Sequence, residues 1–360
     1  MPASSSPPPP EAAPAQPRRR RWFLRVALAA LTVVVLAAAA AGGAFWWGQR
    51  EYRKPGPLAA SKIVVIPKGA HLADIAERLA QAGVIDRPIV FRAGARLEDK
   101  AHLLKAGEYE FAAGISQEAV VRLLVEGKTV VHRLTVAEGL TTAEVLQVVA
   151  GADALDGAVT EKPAEGALLP ETYNYARGDS RNALIQRMTK AMSDTLDQLW
   201  AKRAEGLPFK TKAEALILAS IVEKETGIAA ERPRVAAVFV NRLKRGMRLD
   251  SDPTVIYGLT HGQGPLSRPL LTKDLEAKSP YNTYQIDGLP PGPIANPGRA
   301  SIEATLNPAP TKDLFFVADG TGGHVFSETL DQHNRNVQRW RALQRERRND
   351  ANGKASEPGK

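Results

Sequence analysis

The 360-residue chain has no cysteine, few aromatic residues (6%) and a single long apolar run free of charge. Without cysteine there are no disulfides, no thiolate nucleophile and no thiolate metal site. That absence fits both a reducing cytosol and an exported protein, so it leaves the compartment open. The six histidines are scattered, and no pair has HExxH spacing, which excludes that class of zinc hydrolase. Ser220 lacks the GxSxG setting of a nucleophile elbow. The Gly-rich "GLPPGPIANPGR" follows no strand-to-helix phosphate pattern, which argues against nucleotide binding.

The formal charge is +9, and much of the excess lies at the ends, in "RRRR" at 18–21 and "RWRALQRERR" at 339–348. Between them, basic residues alternate with acids and no nucleic-acid motif appears, so no nucleic-acid partner is expected. The apolar run "VALAALTVVVLAAAAAGGAFWW" covers 26–47 and is long enough to cross a bilayer core of about 30 Å. Trp22 and Phe23 flank one end, and Phe45, Trp46 and Trp47 the other. Arginines crowd the N-terminal side, which orients the N-terminus to the cytoplasm and the rest outside. A cleaved signal peptide is the competing reading. The run exceeds an h-region and ends in Trp-Trp rather than small-x-small, which favours a retained anchor. The expected order is a disordered cytoplasmic stub (1–21) and a transmembrane helix (22–49). After them comes a short linker, "QREYRKPGPLAAS".

Past the linker one grammar recurs three times: strand, Gly turn, amphipathic helix. It appears in "KIVVIPKGAHLADIAERLAQAGVI", in "YEFAAGISQEAVVRLLVEGK" and in "LTVAEGLTTAEVLQVVAG". Aligning Gly69, Gly114 and Gly139 superposes Ile66, Phe111 and Val136, and also Ile75, Val120 and Val145. Gly83 reads as a helix stop and Ser116 as an N-cap. A small α+β module over 60–152 follows, then an Ala/Gly/Pro-rich joint. A larger α+β domain over 165–340 comes next, and a disordered tail (346–360) closes the chain. Within the larger domain, 181–204 reads as a helix, with Leu184, Met188, Met192, Leu196 and Trp200 at near-four spacing. "AAERPRVAAVFVNRLKRG" is another helix, 247–298 is loop-rich, and "DLFFVADGTGGHVFS" is a hairpin.

The helix 213–226 ends in "SIVEKET". Nearly every face of it is apolar, which places it centrally in its domain. Glu223 and Glu225 stand where it leaves the core. Partial desolvation there favours a protonated carboxyl, the form a general acid needs. A solvated polar last turn explains the same residues, and spacing does not separate the two acids. "DSDPTVIYG" and "SPYNTYQIDG" put Asp250, Asp252, Tyr257, Tyr281, Asn282 and Tyr284 on irregular backbone, a set suited to a carbohydrate. Turn-forming residues and core tyrosines account equally well for each of them singly.

These motifs, in this order, resemble the membrane-anchored endolytic murein transglycosylases. The resemblance rests on "ALILASIVEKET", "VAAVFVNRLKRGMRLDSDPTVIYG", "SPYNTYQIDGLPPGPIANPG" and "FFVADGTGGHVFS". "EGALLPETY" resembles the entry to that family's catalytic domain, and "VVIPKGAHLADIAERLAQAGVI" is similar to its LysM-like module. The resemblance covers about 60–340. It implies an inner-membrane protein with its catalytic domain outside the cytoplasm. It also implies cleavage of the β-1,4 bond between N-acetylmuramic acid and N-acetylglucosamine in nascent peptidoglycan, leaving 1,6-anhydro ends and terminating glycan elongation. By the same resemblance Glu223 is the catalytic residue, no cofactor or metal is needed, and peptidoglycan synthases (penicillin-binding proteins) are partners. Asp252, Tyr257, Tyr281, Asn282 and Tyr284 are the expected substrate contacts. Two alternatives stay open: a hydrolase using Asp252 or Asp250 as second carboxylate, and a non-catalytic wall-binding scaffold.

Overall fold

The computed structural model describes residues 18–355; the expected stub before 18 and the last five residues of the tail lie outside them. The fold is mixed α+β, with an N-terminal apolar helix and a larger domain, and the chain divides into compact units at Val130/Val131.

In the first unit helix α1 (Arg18–Arg53) precedes β1 (Lys62–Ile66), α2 (Leu72–Gln81), α3 (Pro88–Leu97), β2 (Gly107–Phe111) and α4 (Gln117–Glu126). α1 is long and apolar enough to cross a membrane, and its apolar window is wholly unburied. It does not stop where the apolar run stops. Tyr52, expected in a linker, is buried in the core of this unit, and Gly94 of α3 faces its ring. A Cβ on Gly94 would overlap that ring, so only glycine lets α3 approach α1 this closely. β1 and β2 pair antiparallel, from Lys62 opposite Phe111 to Ile66 opposite Gly107. α2 ends in a Schellman motif around Gly83: Val84 N–H donates to the Leu79 carbonyl and Gly83 N–H to that of Ala80.

The second unit continues with β3 (Val131–Thr135), α5 (Thr142–Ala150), β4 (Leu155–Asp156), β5 (Thr172–Ala176) and β6 (Asp179–Ser180). Then come α6 (Arg181–Trp200), α7 (Lys212–Glu225), α8 (Arg232–Lys244), α9 (Asp252–Thr260), α10 (Thr272–Leu275) and α11 (Arg299–Leu306). The hairpin β7 (Phe315–Ala318) and β8 (His324–Ser327) and helix α12 (Leu330–Ala355) finish it. α12 runs on through most of the stretch expected as a disordered tail. The third strand–Gly–helix repeat, β3 to α5, belongs to this unit, so the expected 60–152 module straddles the division. β3 pairs antiparallel with β5.

The recurrence itself is real in the backbone. Gly69, Gly114 and Gly139 all have φ between +65 and +79, and each precedes a helix N-cap (His71, Ser116, Thr141) by two residues. The six aligned apolar residues are all buried.

α7 is the centre of the second unit. It starts at a capping box of Thr211 and Glu214. Its residues from Ile217 through Val222 are all buried, in a core shared with α6, α8 and α11. The stretch expected as loop, 247–298, contains α9 and α10. Asp252 and Tyr257 therefore stand on a helix, opened by Pro253 in its first turn, rather than on irregular backbone.

Candidate active site at the end of the central helix

α7 stops at Thr226, whose φ of −146 and ψ of 130 turn the chain extended. Residues two apart on a helix diverge by about 200°. Glu223 and Glu225 therefore leave α7 on opposite sides and meet different segments.

Glu223 shares its face of α7 with Ser220, one turn earlier. Together they grip the Pro/Gly segment before α11. Ile294 N–H donates to Ser220 Oγ at 3.0 Å, and Gly298 N–H donates to Glu223 Oε2 at 2.9 Å. Ser220 is fully buried and also donates to the Ile217 carbonyl. Gly298 is the N-cap of α11, so the carboxylate lies at the positive end of a helix dipole. The other oxygen, Oε1, is 3.7 Å from Arg232 Nη2, and Arg232 in turn is 3.8 Å from Glu138 Oε2. Arg232 is 7% exposed, and its Nε has no hydrogen-bond partner. Burial, then the charge of Glu223, raises the Glu138 carboxyl above its usual range, while Arg232 opposes the shift. A side chain on Gly298 would collide with the Glu138 carboxylate.

The turn after β3 is drawn to the same place. Lys224 Nζ donates to the Gly139 carbonyl at 3.1 Å, and Gly139 N–H donates to that of Asn296. Asn296, fully buried, spends its amide on Leu140 and Thr142 and accepts from Leu168 N–H.

Glu225 belongs to a second cluster. Ser251 Oγ donates to its Oε1 at 2.5 Å. Burial pushes its carboxyl up to about 6, with Ser251 opposing and Asp252 reinforcing. Tyr284 O–H donates to Asp252 Oδ1 at 2.8 Å. Asp250 pairs with Arg242 Nη1 at 3.0 Å. Thr254 and Thr283, both buried, tie α9 to the 283 turn.

The expected substrate residues thus fall in three places. Asp252 and Tyr284 sit together beside Glu225. Tyr257 and Tyr281 pack against each other, ring centroids 4.8 Å apart and planes tilted by 52°, and Tyr257 O–H donates to Glu165 at 3.2 Å. Asn282 is fully buried, donates to the carbonyls of Leu275 and Ala277 and accepts from Tyr284 N–H, so its side chain shapes the turn that carries Tyr281 and Tyr284. An open groove of about 490 Å³ runs along α9. It is lined by Lys224, Pro253, Ile256, Tyr257, Thr260, Leu266, Arg268 and Ile294, among others. Tyr257 is the expected contact that lines it. Among the described residues no group of three or more His, Asp or Glu could hold a metal ion.

Sequence reasoning missed Arg232, Glu138, Ser251 and the role of Gly298. A glycine directly before a helix-forming "RASIEATL" was the one available signal.

The class defined by this fold is an α+β domain around one buried helix that presents acids at its open end, behind an N-terminal apolar helix. The chain belongs to the YceG-like family, whose model matches residues 64–339. It is 32% identical over 303 residues to an endolytic murein transglycosylase of Bacillus subtilis (strain 168), covering 75% of this chain and 82% of that protein. It is 30% identical over 323 residues to an endolytic murein transglycosylase of Streptococcus pneumoniae serotype 2, covering 76% of this chain and 57% of that protein. A crystal structure of a YceG-like protein from Listeria monocytogenes aligns with 77% of this chain and 99% of its own, at 32% identity and a TM-score of 0.47.

Proposed function

We propose that this chain is an endolytic lytic transglycosylase that cleaves the MurNAc–GlcNAc bond inside peptidoglycan glycan strands, with Glu223 as its single acid and base. Relatives named for that activity, similar over three quarters of the chain, support the reaction class. The observation that carries the residue is the setting of Glu223. Its side chain is 6% exposed, at the end of the central helix, with one oxygen held by Gly298 N–H.

In this reading the Glu223 carboxyl gives its proton to the glycosidic oxygen as the C1–O bond breaks. The resulting carboxylate takes the proton of the muramyl C6 hydroxyl, whose oxygen closes on C1 to form the 1,6-anhydro ring. No water is consumed. Gly298 N–H fixes the orientation of the carboxyl, and Arg232 lies within reach of its charged form. Tyr257, Tyr281, Tyr284 and Asp252 supply flat apolar contact and hydrogen bonds to sugar rings, while Asn282 holds the turn that carries two of them. The LysM-like module binds the glycan, and α1 anchors the enzyme in the inner membrane with its catalytic domain outside the cytoplasm. There it cuts nascent strands beside their synthases and terminates elongation.

Purified murein digested by the wild-type chain releases anhydromuropeptides, and Glu223→Gln abolishes release while the melting curve is retained. Full activity in that variant sinks the assignment.

One observation favours a second reading: burial raises the Glu225 carboxyl, which stands next to Asp252. Two neighbouring carboxylates, one of them raised by burial, are the pattern of a hydrolase. Mass spectrometry decides between them, because hydrolysis products are heavier by one water and have reducing ends.

A further inference from the structure

The outer face of α3 is apolar and largely exposed. Its inner face, with Phe91, Gly94 and Ala95, is spent on Tyr52 and the first core. Ile89, Ala93 and Leu97 follow at four-residue spacing on the other side, one row along the helix. Ile89 is 79% exposed and Leu97 67%. Three exposed apolar groups in a row are unusual for a surface that meets only water.

What stands beside this row says what covers it. A groove of about 240 Å³ separates it from α1, and the α1 wall is Phe45 and Trp47 with small residues between. These aromatics close the apolar run that α1 exposes entirely. The row therefore lies level with the end of that run. Arg87, at the start of α3, stacks over the Trp47 ring at 5.2 Å and donates to Glu51 at 2.8 Å, and Arg50 stacks over Trp46 at 5.8 Å. Aromatic rings with arginines beside them are the composition of a membrane interface. The close fit of Gly94 on Tyr52 holds α3 at this height on α1 as one body.

We infer that α3 is a second, interfacial membrane contact: Ile89, Ala93 and Leu97 insert into the headgroup–acyl boundary of the leaflet where the aromatic end of α1 emerges. The inference rests on the reading of α1 as a membrane anchor. Helices of this kind bury their apolar face some 5–10 Å below the headgroups. α3, about 15 Å long, then acts as an outrigger that fixes the tilt of the first unit on the bilayer.

The lack of cysteine makes the test direct. Single cysteines replace Ile89, Leu97 and, as a mid-span control, Val34 in the full chain, each carrying a polarity-sensitive fluorophore. The chain is reconstituted at one copy per nanodisc, and a label–glutathione conjugate gives the water reference. The expected result is blue-shifted emission at 89 and 97, quenched by lipids carrying a shallow nitroxide and shielded from iodide, with the label at 34 quenched by lipids carrying a nitroxide deep in the acyl chain. Emission and iodide quenching at 89 and 97 like the reference, with lipid quenching at 34 intact, overturns the inference and leaves the anchor standing. Failure of lipid quenching at 34 overturns the anchor and this inference together. Shielding of 89 and 97 from both quenchers means protein covers the row, and also overturns it.

Discussion

Replacing Ser220 by alanine tests whether α7 holds the segment before α11 in place. Ser220 Oγ accepts from Ile294 N–H at 3.0 Å and donates to the Ile217 carbonyl at 2.7 Å, in a position with no solvent access. Alanine removes both bonds and admits no water, so Ile294 N–H is left buried without a partner. Such an orphaned donor costs about 1–3 kcal/mol. The better helix propensity of alanine returns roughly 0.5 kcal/mol. The net loss is about 0.5–2.5 kcal/mol, and for a unit of this size each kcal/mol lowers the melting midpoint by about 2–4 °C. The segment that loosens is the one that presents Gly298 to Glu223. A fall in kcat for anhydromuropeptide release therefore accompanies the lower midpoint, measured by thermal melting and murein digestion on the same preparation. Ser220→Cys keeps a weak acceptor and falls between the two. An unchanged midpoint in Ser220→Ala refutes the packing argument. A lowered midpoint with unchanged kcat refutes the link from Ser220 to Glu223.

Three further outcomes follow from single contacts. Glu225 has its carboxyl raised to about 6 from an ordinary 4.5. The stability tied to its protonated form is thus complete below pH 4.5 and is lost as pH rises through 6. The loss amounts to about 2 kcal/mol. Glu225→Gln removes this slope, read as denaturation midpoints at pH 4.5 and 7. Gly94→Ala drives a methyl into the Tyr52 ring and destabilises the first unit by about 1–3 kcal/mol, seen as faster proteolysis after Arg53. Asn282→Ala leaves the Ala277 carbonyl without its side-chain donor and the Leu275 carbonyl with that of Gln285 alone. It lowers the melting midpoint by an amount consistent with about 1–3 kcal/mol, and hydrogen exchange rises across 275–284.

The parts legible in sequence are those whose signal is periodic or obligatory. A left-handed turn needs glycine, so Gly69, Gly114 and Gly139 aligned the repeats, and their strand and helix residues fell in register. A helix apolar on nearly every face has to be central, as α7 is. What escaped is short or singular. α9 and α11 are under ten residues and begin at Pro and Gly, so their openings read as loop. Tyr52 lies among Arg, Glu and Lys, where hydropathy sees only the end of the apolar run, yet it is a core residue. Arg232 reads as the polar start of a helix. Its role comes from Glu138 and Glu223, which lie 94 and 9 positions away in the chain and meet it only in the fold.

The placement of Glu223 also resolves a cost apparent from the sequence alone. An acid in the last turn of a helix faces the negative end of its own dipole. Here α11 answers it: its N-cap N–H points at the same carboxylate, so the end of one helix and the start of another share one charge. That arrangement needs Gly298, because Glu138 fills the space any side chain would occupy. It also needs Ser220 one turn back to keep the incoming strand in line. Glu225, about 200° around the helix, has no such partner and relies on Ser251. The two acids of "VEKE" are therefore unequal by construction. One is aimed by backbone from a neighbouring helix, and the other is tucked under α9, where burial raises its carboxyl to about 6.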